Sequence, residues 1–191
     1  MKRRALALTL TAAATLTACG GGSEKLSEKA IEQAIKENGG SNVDVDVNNG
    51  EVKIKTEDGE MTVSGDGKDS INITSDSGSF QAGASAEMPK DFPSEVPVPD
   101  LELQSQMTTK SNGDTNFMLT FVTKSPEKDF AKYTEALKAD GFDISDEYTG
   151  TTDGKFSGRV AGSKGAWEIN AFTSEDGDGS GSLVLMATSA S

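Results

Sequence analysis

The string Asp176-Gly177-Asp178-Gly179-Ser180-Gly181 offers side-chain oxygens at alternate positions and a glycine at the sixth. Hard oxygen donors in that rhythm form the front half of an EF-hand calcium loop. Counting on, the twelfth position is Ala187, where such a loop needs a bidentate Glu. Calcium held by Asp176, Asp178 and Ser180 would need further ligands, for instance Glu175 or Asp153. The competing reading is an acidic, Gly-rich hairpin turn. Asp44, Asp46 and Asn48 make a second ladder of oxygens. In a strand they share one face about 7 Å apart, as a weak cation site or as a plain solvated face.

Catalysis finds few instruments. The 191 residues include no His and one Cys. Without His there is no Ser-His-Asp triad, no Cys-His dyad, no imidazole ligand and no imidazole pH switch. With one Cys there is no intrachain disulfide and no Cys-rich zinc site. Hydrolysis by carboxylates alone needs two acids across a cleft, one of them buried. None of the 31 acids sits in an apolar run, and alternation puts Glu168 on the face opposite Trp167 and Ile169. Ser125-Pro126-Glu127-Lys128 matches Ser-x-x-Lys by letters but reads better as a helix start. Tyr133, Tyr148 and Trp167 are candidates for an aromatic platform, although the periodicity around Tyr133 and Trp167 places those two in the core. A net charge of −13 and a pI near 4.4 argue against nucleic acid, which is gripped by clustered Lys and Arg.

Cys19 carries the most specific chemistry. Lys2, Arg3 and Arg4 precede an apolar stretch from Ala5 to Ala14 that is too short to span a bilayer, and Leu16-Thr17-Ala18-Cys19 closes it. That close resembles the lipobox of bacterial lipoproteins. The resemblance implies a diacylglyceryl group on the Cys19 sulfur, cleavage between Ala18 and Cys19, and Cys19 as the new N-terminus. Gly20-Gly21-Gly22-Ser23 then reads as a flexible tether. Two acyl chains suffice for stable anchoring, at about 0.8 kcal/mol per buried CH₂. Removing Lys2, Arg3 and Arg4 from the 18 bases leaves 15 against 31 acids, a formal charge of −16. Anionic headgroups repel such a body, so the lipid must hold it.

The elements that would position these groups fall into two parts. A stripe of Leu26, Ala30, Ile31, Ala34 and Ile35 predicts a helix over 24–37. The period then changes to 2: Val43-Val45-Val47, Val52-Ile54, Met61-Val63 and Ile71-Ile73 alternate with polar residues, with turns at Asn49-Gly50, Asp58-Gly59, Gly65-Gly67 and Asp76-Gly78. This is an antiparallel meander, dry on one side, with the helix as its cover. Pro89, Pro93, Pro97 and Pro99 make 83–100 an extended connector. Beyond it, 101–191 reads as β-β-α-β-β-β-β, with its helix starting at Ser125-Pro126 and Met118 and Val122 on a face that one helix leaves uncovered.

The expected fold class is therefore α+β. It comprises a signal peptide (1–18), a lipidated tether (19–23), a helix packed on a meander (24–82), a Pro-rich connector (83–100) and a single-helix α+β domain with a mostly antiparallel sheet (101–191). The runs Met88-Pro-Lys-Asp-Phe-Pro-Ser-Glu-Val-Pro-Val-Pro99 and Tyr133-Thr-Glu-Ala-Leu-Lys-Ala-Asp-Gly-Phe142 resemble segments of uncharacterised two-part lipoproteins of Gram-positive bacteria, especially actinobacteria. The resemblance implies the same two-part build and transfers no catalytic residue. The expected function is a non-catalytic binding module, lipid-anchored on the extracytoplasmic face of the cell membrane, whose partner is an envelope protein or cell-wall ligand. The uncovered face with Met118 and Val122 is the candidate binding surface. A calcium-dependent envelope module is the alternative, and a carboxylate hydrolase a more distant one.

Overall fold

A computed structural model describes residues 32–33, 44–48, 51–56, 59–65, 70–83, 86–111 and 113–189. The segment expected to be a lipobox and tether, Cys19 included, lies outside them. So does most of the expected helix over 24–37, of which residues 32 and 33 are described and helical.

The described chain is one antiparallel sheet of eleven strands, which overturns the two-part α+β expectation. The strands are β1 (Asp44–Asn48), β2 (Glu51–Thr56), β3 (Gly59–Gly65), β4 (Ile71–Ser75), β5 (Gly78–Ala82), β6 (Glu102–Ser111), β7 (Asp114–Thr123), β8 (Asp143–Thr152), β9 (Lys155–Lys164), β10 (Trp167–Glu175) and β11 (Gly181–Ser189). Helix α1 (Pro126–Ala139) joins β7 to β8. The spatial order is β1-β2-β3-β4-β5-β6-β7-β11-β10-β9-β8. The chain is mostly β. Among the described residues the helix that covers the sheet is α1, and it packs on β9, β10 and β11 rather than on the meander.

The join between the expected parts is β5, a strand that the alternation pattern does not predict after the Asp76–Gly78 turn. It pairs with β4 on one side and β6 on the other, so the hydrogen-bonded ladder runs through without a break. Gly78 makes the junction possible. Its φ is 155°, and a Cβ there would collide with the backbone carbonyl oxygen of Thr108. Only glycine lets β5 lie that close to β6.

The Pro-rich segment is likewise more than a connector. It lies against the side of the sheet that α1 covers. Val96 is in the core, Phe92 packs edge-on against Phe117 at 5.3 Å between ring centroids, and the hydroxyl of Tyr133 donates to the carbonyl of Pro97 at 3.2 Å. Core residues alternate along the strands as burial on one face requires: Phe117, Leu119 and Phe121 on β7, Leu183, Leu185 and Ala187 on β11, Ile169 and Ala171 on β10. Phe130, Tyr133 and Leu137 close over them from α1. Gly158 on β9 leaves room for the Phe130 ring, whose nearest atoms stand 2.8 Å from where a Cβ would be.

The start of α1 is built differently from the sequence expectation. Ser125 occupies the N-cap position, and its side chain makes no capping bond. Thr123, at the end of β7, instead ties the N-cap residue to the first turn. Its hydroxyl accepts the Ser125 N–H at 3.0 Å and donates to Asp129 Oδ2 at 2.5 Å. Pro126 fills N1, where its missing N–H costs nothing.

Candidate functional site

Each face of the sheet follows from register. The helix face carries the core just described. The far face carries the alternate residues, and two adjacent rows of cross-strand partners dominate it. One row runs Met186, Met118, Met107, Phe80, Ile73, Val63, Val52, Val47, a single apolar residue from each of eight neighbouring strands. The next runs Tyr148, Arg159, Phe172, Val184, Thr120, Ser105, Ala82, Ile71.

The large hydrophobics exposed among the described residues are Ile71, Met88, Val98, Tyr148, Phe172 and Met186. Met88 and Val98 belong to the Pro-rich segment. The other four all lie on the far face in these two rows: Tyr148 is 59% exposed, Ile71 51%, Met186 40% and Phe172 37%. Single exposed apolar residues are ordinary on any surface, whereas a clustered patch marks a contact region. Met118 and Val122, the residues singled out by alternation on β7, are half-buried members of this face. Phe172, Met186 and Tyr148 were missed as members. Their alternation was visible, but the order β7-β11-β10-β9-β8 that makes them neighbours was not.

The aromatic end of the patch is braced. The Arg159 guanidinium carbon lies 5.9 Å from the centroid of the Phe172 ring, and Arg159 Nε is 3.4 Å from Asp146 Oδ2. The cation thus stacks on one aromatic and pairs with an acid at the rim. The Tyr148 ring folds down over Gly150, where a Cβ would meet its hydroxyl. The other two aromatics considered with Tyr148 lie elsewhere. Tyr133 is 3% exposed, and burial pushes its phenol well above the ordinary value. Trp167 packs on the helix face, tilted against Phe117 with centroids 6.0 Å apart.

The Asp176–Gly181 string forms the β10–β11 turn, and its oxygens serve the turn. Asp178 Oδ1 accepts the Ser180 hydroxyl at 2.6 Å and the Ser180 backbone N–H at 3.0 Å. Those bonds, the hydroxyl first, hold the Asp178 carboxyl below its ordinary value. The Asp176 N–H donates to the Ser180 carbonyl at 2.7 Å. Glu175, the nearby acid considered as an extra ligand, accepts the Phe156 N–H at 3.1 Å. Among the described residues no group of three or more acidic or Cys side chains converges as a metal cage.

A cleft of about 180 Å³ separates α1 from β8, with Phe130 and Phe156 below and Glu127, Glu135 and Glu147 at the rim. Lys138 Nζ reaches Glu147 Oε2 at 3.0 Å and Glu135 Oε1 at 3.3 Å. Glu135 and Glu147 are ion-paired and Glu127 is exposed, unlike the buried carboxyl that general-acid hydrolysis uses.

No protein-family model matches the chain, and no curated protein matches its sequence.

Proposed function

We propose that this chain is a lipoprotein, anchored through Cys19 to the outer face of the cell membrane, and that it works as a non-catalytic module whose far face captures another envelope protein. One observation carries the binding part: Tyr148, Phe172 and Met186 lie exposed in two adjacent rows between β8 and β11 of one sheet face, on the side away from α1. A protein partner suits it better than a glycan. Met107, Met118 and Met186 are flexible, polarizable side chains that repack against varied apolar surfaces. The anchor rests on the order Lys-Arg-Arg, apolar run, Leu-Thr-Ala-Cys, with the Cys the single one in the chain. No helix among the described residues is long and apolar enough to cross a membrane.

The anchoring test is fractionation of cells grown with labelled fatty acid. The wild-type chain is expected in the membrane fraction carrying label, and Cys19→Ser is expected to lose both. Membrane association of Cys19→Ser equal to wild type, with no label in either, overturns the anchor. The binding test uses Phe172→Glu and Met186→Glu, which place charge at exposed positions. Both variants should fold with stability within about 1 kcal/mol of wild type, yet crosslink to no envelope partner in cells. Undiminished crosslinking sinks the assignment of this face.

A further inference from the structure

Resting on that reading of the far face, we propose that its partner presents a basic amphipathic helix. The argument comes from what surrounds the apolar rows. The row on one side of them runs Asp143, Ser163, Glu168, Thr188, Asn116, Thr109. The row on the other side runs Gly150, Ser157, Ser174, Ser182, Val122, Glu102. The methionine row continues from Met186 through Asn170 and Ala161 to Asp146 at its β8 end. From β8 to β6, then, an apolar centre of Met107, Met118, Met186, Val184, Phe172 and Tyr148 is framed by Asp143, Asp146, Glu168 and Glu102. Across those four rows Arg159 is the one base, and Asp146 already pairs with it.

A surface of this kind complements a segment with an apolar stripe and basic flanks. Acidic flanks would meet like charge on three sides, and so would a second copy of this strongly acidic chain. The span also fits. Five strands from β9 to β6 cover about 19 Å at 4.8 Å per step. A helix of about 13 residues covers that length at 1.5 Å per residue. It would pack on this face while α1 packs on the other, completing a helix–sheet–helix sandwich.

The chain supplies its own reporters. Its six methionines include Met107, Met118 and Met186 on the patch and Met88 in the Pro-rich segment. The mature chain carrying Cys19→Ser is labelled at the methionine methyls and titrated with two synthetic 14-residue helical peptides, one of Leu and Lys and one of Leu and Glu, sharing the same apolar stripe. The Leu/Lys peptide is expected to shift the methyls of Met107, Met118 and Met186 and to leave Met88 in place. The Leu/Glu peptide should bind at least tenfold more weakly, and so should the Leu/Lys peptide to Phe172→Glu. Asp146→Asn with Glu168→Gln should weaken the Leu/Lys peptide severalfold and flatten its salt dependence. Equal binding of both peptides at the patch overturns the charge assignment while leaving the docking face intact. Three unmoved patch methyls with the Leu/Lys peptide overturn the occupant. Movement of the same methyls by purified peptidoglycan instead of either peptide overturns the protein-partner reading itself.

Discussion

At the scale of single residues, the helix face tolerates little change. Gly158 sits under Phe130, and an added methyl must push that ring out of a core in which Phe130 is 1% exposed. Gly158→Ala should therefore cost about 1–3 kcal/mol, measured by denaturant unfolding with an unchanged m-value. Tyr133 makes a second prediction. Its phenol is buried, donates to Pro97, and is pushed up by desolvation. The unfolded chain gives up that proton first, from about pH 10. The contribution to stability is thus intact below that pH and is lost as pH rises towards the raised value. Of the two tyrosines, one should show phenolate absorbance only as the protein unfolds in alkali. Tyr133→Phe should instead lose about 1 kcal/mol at neutral pH, because the Pro97 carbonyl loses its donor.

At the scale of elements, the sequence told a partial story for definite reasons. The meander strands β1 to β4 were legible because β-branched residues alternate with polar ones between Asn-Gly and Asp-Gly turns. Helix α1 was legible from Pro126 and the spacing of Phe130, Tyr133 and Leu137. Strand β5 was not. Gly-Ser-Phe-Gln-Ala offers one large apolar side chain, and a Pro-rich stretch follows it. Missing that strand split one sheet into two parts. Gly78→Ala tests the correction: the collision with Thr108 should detach β5 from β6 and expose backbone amides of both strands to hydrogen exchange. Protection unchanged from wild type would mean the junction is not where the sheet is held together. The far edge of the sheet makes a separate prediction. Strand β8 ends the strand order and bears Asp143, Asp146 and Glu147, with a register shift between Ile144 and Asp146. Charge and irregularity on an edge strand discourage pairing with other chains. Asp143→Thr with Asp146→Val should self-associate in sedimentation velocity at concentrations where the wild type stays monomeric.

At the scale of the whole molecule, the two faces divide the work. From β6 to β9 the side with α1 and the Pro-rich segment is buried by the chain itself, and the opposite side leaves Tyr148, Phe172 and Met186 in solvent; on β1 and β2 the exposure reverses, with Val45 buried on the methionine-row side and Asp46 and Lys53 exposed on the other. Alternation in the sequence put Met118 and Val122 on the same face of β7. It could not assemble the patch, because β7 pairs with β11 rather than with β8, and that choice depends on distant contacts. The most direct measurement is site-specific photocrosslinking in living cells, with the photoreactive residue at Phe172 or, as the opposite-side control, at Lys132 on α1. The account predicts a discrete protein adduct from position 172 that disappears with Cys19→Ser, and none from position 132. Equal adducts from both positions, or an adduct from 132 alone, would contradict it.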